Sequence, residues 1–207
     1  SDAYELSRNR TSKKLSFETG KKAIDLFFSQ AWPKIAANPM PKLAINFYGG
    51  EPLMAQRVLR ELTQYAKDTA PAPVVFALST NGTMLRGDIV DYLVENDFYI
   101  LVSLDGGPQD HDRNRINPDG SGTFDRIAEN LKEVRRRHPN FRKLHHIGVF
   151  DWGTDLLRVN EFHEENADWL PPLQMASQAN ERDSNYYYEQ FTDEDRAAFA
   201  KANEALE

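Results

Sequence analysis

Three short segments of this 207-residue chain combine glycines with polar side chains in a way that suits ligand binding. They are Tyr48-Gly49-Gly50-Glu51-Pro52, Ser79-Thr80-Asn81-Gly82 and Ser103-Leu104-Asp105-Gly106-Gly107-Pro108. Each follows an apolar run of strand length. Taken singly, each suits a turn, because Gly-Gly, Asn-Gly and Asp-Gly pairs favour turn conformations. Three of them after successive strands favour a binding site, because parallel sheets gather functional residues at the carboxyl ends of their strands.

The residue types suit a ligand that carries an ammonium group, hydroxyls and a carboxylate. Gly49 and Gly50 leave backbone groups accessible, because they have no side chain. Glu51 can accept hydrogen bonds from an ammonium group, and Arg115 can pair bidentately with a carboxylate. Groups suited to ribose hydroxyls are supplied by Ser79, Thr80, Asn81, Ser103 and Asp105. Together these residues indicate a site for an amino acid joined to a nucleoside.

Alternating apolar and amphipathic segments predict the elements that position these residues. Strands are predicted at 43–48, 74–78, 99–104, 143–150 and 170–175, and helices at 54–69, 88–96, 123–138, 154–166 and 192–206. A first helix begins after Ser16, a suitable N-cap, and Pro33 is expected in the loop beyond it. The run at 43–48 is typical of a strand buried on both faces. Residues 105–122 are predicted to form a polar loop.

This alternation predicts an α/β fold with a parallel sheet and helices outside it, either a barrel or a doubly wound sheet. The net charge of −7 gives no indication of a nucleic-acid or anionic-membrane partner. No apolar run approaches the roughly 20 residues of a membrane helix, and we expect a cytoplasmic protein. The three arginines at 135–137 fall at a predicted helix end, where cations favour the helix dipole.

The chain contains no cysteine, which excludes disulfides, thiolate metal sites and a cysteine nucleophile within it. His145 and His146 are adjacent on a strand and point to opposite faces, so we expect no metal site there. His111 is expected to hydrogen-bond within its own loop. Asp151 follows a strand, and it suits either a ligand contact or a turn with Gly153.

The three segments, in this order and spacing, resemble the radical SAM superfamily. Residues 46–53 are similar to its GGEP motif, and residues 79–85 are similar to its TNG segment. The third segment, from Ser103 through Asp105-Gly106, His111-Asp112 and Arg115 to Gly122-Thr123-Phe124, resembles one typical of SPASM-type maturases. Those maturases include anaerobic sulfatase-maturating enzymes and peptide maturases. Residues 1–19 and the region around Asn185 are similar to thioether-forming peptide maturases.

The resemblance implies a partial (β/α)6 barrel that lacks its first strand and cluster loop in this chain. It implies that a [4Fe–4S] cluster cleaves SAM reductively to a 5′-deoxyadenosyl radical, which takes a hydrogen from a peptide or protein substrate. Flavodoxin or ferredoxin would be the reductant. The implied cofactor-binding residues are Gly49, Gly50 and Glu51 for the SAM amino group, Ser103 for ribose, Arg115 for the carboxylate, and Thr80, Asn81 and Asp105 in the pocket. No residue is assigned a catalytic role.

Two features depart from the family pattern. Gly106-Gly107-Pro108 carries an extra glycine, and the CxxxCxxC motif that holds the cluster is missing. We expect the cluster ligands upstream of Ser1. The expected organisation is one core domain over 1–207, with a lead-in at 1–15, β/α repeats at 16–176 and a C-terminal, substrate-side extension at 177–207. A non-catalytic binding module without a cluster stays open as the alternative. An aldolase-like enzyme is disfavoured, because none of these strand ends carries a lysine.

Overall fold

The computed structural model describes residues 14–178 and 190–206. Its helices are α1 (Phe17–Ile35), α2 (Gln56–Thr69), α3 (Asp88–Glu95), α4 (Pro108–Asn114), α5 (Phe124–Arg137), α6 (Leu156–Glu165) and α7 (Asp193–Leu206), with a 3-10 turn at Pro52–Ala55. Its strands are β1 (Leu43–Phe47), β2 (Val74–Thr80), β3 (Tyr99–Ser103), β4 (Leu144–Phe150) and β5 (Leu173–Gln178). Most of the lead-in, and the part of the extension around Asn185, lie outside the described residues.

The five strands form one sheet in the order β1-β2-β3-β4-β5. The pairs β1–β2, β2–β3 and β4–β5 are parallel. In their register Phe47 lies beside Leu78, and Thr80 lies beside Val102. Helices connect successive strands, as parallel pairing requires. The predicted α/β class is therefore confirmed.

The chain divides into two compact units. The first unit comprises residues 14–102 and 133–145 of the described chain, and the second comprises 103–132, 146–178 and 190–206. In the first unit the rings of Phe76 and Phe98 stack with their centroids 5.3 Å apart. In the second unit Phe150, Leu156 and Val159 form a buried apolar cluster. Of the helices in the described ranges, none is long and apolar enough to cross a membrane.

Helix caps follow the sequence closely. The Ser16 hydroxyl accepts a hydrogen bond from the Thr19 amide at 3.2 Å, as predicted for the start of α1. At the start of α7 the Asp195 amide donates to the Thr192 hydroxyl at 3.2 Å, and the Asp195 carboxylate accepts from the Thr192 amide at 2.7 Å. This reciprocal pair satisfies backbone donors that the helix itself leaves open.

Helix α1 and strand β1 differ from the prediction. Pro33 lies inside the last turn of α1 and not in the loop, because the helix continues to Ile35 and the Ala36 amide bonds the Trp32 carbonyl at 3.0 Å. Strand β1 is not buried on both faces, since Ala44 and Asn46 are exposed. Strand β1 is an edge strand of the sheet, and because side chains alternate between its two faces, every second residue lies on the exposed face.

Two further segments also differ from the prediction. The loop predicted at 105–122 contains α4, which begins after Gly107 with Pro108 in its first turn. Proline is favoured there, because the first amides of a helix have no intrahelical partner. The last strand spans Leu173–Gln178 and not 170–175, because the buried residues Trp169 and Leu170 close the turn after α6.

Candidate functional site

Glu51 joins the carboxyl ends of β1 and β2 within the first unit. One carboxylate oxygen accepts from the Leu53 amide at 3.0 Å and the Thr80 hydroxyl at 2.8 Å, and the other accepts from the Asn81 amide at 2.7 Å. Glu51 also caps the 3-10 turn that Pro52 begins. We call Glu51, Thr80 and Asn81 the Glu51 cluster. The structure thus brings together three residues that the sequence predicted as a binding group.

The glycines before Glu51 lie in open space. Gly49 and Gly50 are exposed, and a Cβ added to either would have no heavy atom within 4 Å. Gly49 has φ = +146°, a conformation that strongly favours glycine. The backbone here is therefore accessible to a ligand, and packing does not explain the choice of glycine at Gly50.

Thr80 and Asn81 form a compact turn at the end of β2. The buried Thr80 hydroxyl accepts from the Gly82 amide at 3.1 Å. The exposed Asn81 carboxamide oxygen accepts from the Thr83 amide at 3.0 Å and the Thr83 hydroxyl at 2.7 Å. These local bonds fix the Asn81 side chain at the surface.

Asp105 and Arg115 form a bidentate ion pair in the second unit. Asp105 Oδ2 accepts from Arg115 Nε at 2.5 Å, and Oδ1 accepts from Arg115 Nη2 at 2.9 Å. Oδ1 also accepts from the Val149 amide at 2.9 Å. The Asp105 side chain is only 7% exposed, whereas Arg115 retains 29%. We call these two residues the Asp105 pair. Ser103 is half-buried at the last position of β3.

His111 is fully buried behind the Asp105 pair. Its Nδ1 accepts from the Asp105 amide at 3.3 Å, and its Nε2 lies 2.9 Å from the Thr123 hydroxyl. That hydroxyl donates to the Arg115 carbonyl at 2.9 Å. The pKa of His111 is lowered to about 4, mainly by burial; the Asp105 and Asp112 charges oppose this shift, and the Arg115 charge contributes to it. The ring is therefore neutral near pH 7, and it bonds within its own segment as predicted.

The sequence profile of the radical SAM superfamily matches residues 33–152, more than half of the chain. The chain belongs to the radical SAM superfamily. The family's cofactors are SAM and a [4Fe–4S] cluster, and the five-stranded parallel sheet is the corresponding partial barrel.

Curated relatives of this radical SAM chain include maturases. It is 34% identical to the cysteine-type anaerobic sulfatase-maturating enzyme of Clostridium novyi (strain NT) over 93 residues, 44% of this chain and 25% of that protein. It is 26% identical to the serine-type enzyme of Bacteroides thetaiotaomicron over 141 residues, 66% of this chain and 33% of that protein. It is 24% identical to the radical SAM cyclopropyl synthase TigE of Paramaledivibacter caminithermalis over 123 residues, 59% of this chain and 25% of that protein.

A solved structure described as "Native anSMEcpe with bound AdoMet" has the same fold. It superposes with a TM-score of 0.67 over 83% of this chain and 44% of that chain, at 19% identity. The radical SAM chain described here therefore spans a quarter to a third of the length of these curated relatives and less than half of that solved structure.

The residues present fit the two radical SAM cofactors differently. Without cysteine the chain offers no thiolate for an iron–sulfur cluster. In the described ranges, no three His, Asp or Glu side chains are grouped to hold a metal ion. The chain does not fit the cluster. For SAM each unit offers groups of the right chemistry when taken by itself. In the first unit the Glu51 cluster sets a half-buried carboxylate beside an accessible backbone, and in the second the Asp105 pair holds a partly exposed guanidinium.

The sequence did not predict the contacts that anchor α4 in this radical SAM chain. Asp112 caps α5 by accepting from the amides of Thr123 and Phe124 at 2.8 and 2.9 Å. Asp151 accepts from Arg113 Nη2 at 2.7 Å and from the Gly153 amide at 3.0 Å, which supports its turn role. The buried Asp110 carboxylate accepts from Nε and Nη2 of the exposed Arg158 at 3.0 and 2.7 Å. The Pro108 start signal could have revealed the helix, but no local pattern reveals partners up to 48 positions away.

Proposed function

We propose that this chain is the SAM-binding part of a radical SAM maturase that modifies a peptide or protein substrate. The observation that carries the proposal is Glu51, whose carboxylate links the ends of two neighbouring strands beside an open glycine backbone. The maturase relatives support the reaction class and the substrate class. A flavodoxin or ferredoxin is the reductant we propose, and the described β/α repeats are proposed to form one core domain.

In this proposal each group of the ligand meets a chemically matched residue. The Glu51 carboxylate and the carbonyl groups of Gly49 and Gly50 accept hydrogen bonds from the SAM ammonium group. The Arg115 guanidinium donates to the SAM carboxylate, and the Ser103 hydroxyl binds ribose. Thr80 and Asn81 line the pocket. SAM supplies the 5′-deoxyadenosyl group, and this chain binds and orients it.

A direct binding measurement tests the SAM site. SAM titrated into the chain should bind more weakly than about 1 μM, because only the contacts named above hold it without an iron ligand. Glu51→Gln removes the anion that faces the ammonium group and should weaken binding further. Affinity tighter than about −8 kcal/mol would contradict this account of the contacts. No detectable binding, with the fold intact by circular dichroism, would contradict the SAM site itself.

The second candidate function is a non-catalytic binding module that holds no cluster, for which the absence of cysteine from this chain is expected. The coding sequence of the gene distinguishes the two candidate functions. A maturase requires three cysteines with the CxxxCxxC spacing in the encoded protein, and protein made with them should release 5′-deoxyadenosine after anaerobic reconstitution and reduction. A gene that encodes no such motif would favour the binding module and refute the maturase.

A further inference from the structure

Asp105 has almost no surface through which it could contact a ligand. Its side chain is 7% exposed, and both carboxylate oxygens are engaged by Arg115 and by the Val149 amide. Because so little of the side chain is exposed, a ribose hydroxyl has almost no access to an Asp105 oxygen while Arg115 and Val149 hold these positions. The sequence-based expectation that Asp105 contacts the cofactor therefore has no support from its surroundings.

The same contacts fix the orientation of Arg115. Asp105 engages Nε and Nη2, which form one edge of the guanidinium plane. Among the described residues, none accepts a hydrogen bond from Nη1, so the edge that carries Nη1 remains for an anion. The backbone of Arg115 is held at both ends, because its amide donates to the His111 carbonyl at 3.0 Å and its carbonyl accepts from Thr123.

We infer that Asp105 is a positioning residue, which holds the Arg115 guanidinium with one edge directed to a ligand carboxylate and does not itself touch the ligand. The inference rests on the proposed function, since it assumes that Arg115 binds the SAM carboxylate. It assigns Asp105 an indirect role that affects recognition of the carboxylate and leaves recognition of ribose unchanged.

Removing the Asp105 charge has two opposing effects on anion binding. It leaves Arg115 with an uncompensated positive charge, which attracts a carboxylate more strongly. It also releases the long Arg115 side chain into solvent, where a charge pair with the ligand contributes little. The freed side chain must then lose much rotamer freedom when it binds the carboxylate. Because Arg115 is already 29% exposed, we expect orientation to outweigh charge.

Two ligands separate the indirect role from a direct one. Decarboxylated SAM keeps the sulfonium, amine, ribose and adenine of SAM and lacks only the carboxylate. The wild-type chain should bind SAM more tightly than decarboxylated SAM, as ligand-observed NMR titration can measure. Asp105→Asn should weaken the affinity for SAM roughly tenfold, equivalent to 1.4 kcal/mol. Its affinity for decarboxylated SAM should stay within about twofold of the wild-type value. Equal weakening of both ligands, or tighter SAM binding, would overturn the inference.

The chain offers a matched control in Asp110. It is another buried aspartate in a bidentate pair with an arginine of the same unit, Arg158. Asp110→Asn should keep the wild-type preference for SAM over the decarboxylated ligand. If it abolishes the preference as fully as Asp105→Asn does, general loosening of the unit explains the result and the inference fails.

Arg115 variants keep the test decisive if Asp105→Asn does not fold. Arg115→Lys retains the charge but loses the planar fork, and it should lose the preference for SAM. A retained preference would show that held geometry is unnecessary and would refute the inference. In an Arg115→Leu background, Asp105→Asn should change neither affinity further. If the wild-type chain binds neither ligand, the proposed SAM site fails as well, whereas equal weakening by Asp105→Asn refutes the positioning role alone.

Discussion

Acid should destabilise this protein through His111. The ring is neutral when folded, because its Nδ1 accepts from the Asp105 amide while its Nε2 faces a hydroxyl that already donates to the Arg115 carbonyl. A proton on Nδ1 would place a donor against the Asp105 amide donor. Protonation of His111 is therefore incompatible with the hydrogen bonds that hold this segment.

The expected size of the effect follows from linkage. Burial lowers the pKa from 6.5 to about 4, so the unfolded chain binds more protons than the folded chain throughout that interval. The free energy of unfolding therefore rises with pH there, and the stabilisation is complete above pH 6.5 and lost as the pH falls toward 4. At 1.36 kcal/mol per pH unit, the loss from this one residue is at most about 3 kcal/mol.

Urea unfolding followed by circular dichroism measures this loss. His111→Gln removes the titrating ring, and the carboxylates common to both proteins largely cancel when the two are compared. The advantage in stability of the wild type over the variant should shrink by about 3 kcal/mol between pH 7 and pH 4. An advantage that stays constant across that range would refute the reasoning, as would an NMR titration of His111 with an ordinary midpoint.

Three other perturbations have defined outcomes. Gly50→Ala should change the free energy of unfolding by less than about 0.5 kcal/mol while it weakens SAM binding. The control Gly20→Ala should destabilise the fold, because the added Cβ would lie 2.4 Å from Leu62 Cδ1. Equal losses of stability in urea for the two variants would contradict this. Gly122→Ala would place a Cβ 2.0 Å from Asp112 Oδ2 and displace the side chain that caps α5. We expect the free energy of unfolding to fall by about 1–3 kcal/mol, as measured by thermal unfolding. An unchanged midpoint temperature would refute this prediction. Anaerobic reconstitution with iron and sulfide should yield no cluster on this chain; about four irons bound per chain would show that the missing thiolates are not required.

The strands and most helices could be predicted because their signals are local. Apolar runs mark β2 and β3, and the hydroxyls of Ser16 and Thr192 mark helix starts through bonds that span three residues. The strand-end motifs placed Glu51 beside Thr80 for a similar reason, because parallel strands end at the same edge of a sheet.

Helix α4 could not be recognised from periodicity, because it has seven residues and no apolar stripe. Its partners come from elsewhere in the chain, with Asp110 bound to Arg158 and Arg113 bound to Asp151. The burial of Asp105 escaped prediction for the same reason, since nothing near it in sequence indicates that Arg115 and Val149 surround it. Sequence identifies residues capable of the chemistry, and tertiary contacts decide which of them face a ligand.

The contacts of Glu51 have a consequence for the speed and specificity of recognition. Because backbone amides and the Thr80 hydroxyl immobilise its carboxylate during folding, an arriving cation meets an anion whose rotamer is already fixed. Capture at this corner then requires little ordering of the protein, so encounter with the ligand and not rearrangement is expected to limit the association rate. A receptor of this kind discriminates by shape, since a cation of different reach cannot draw the carboxylate toward itself without breaking its hydrogen bonds to Leu53, Thr80 and Asn81.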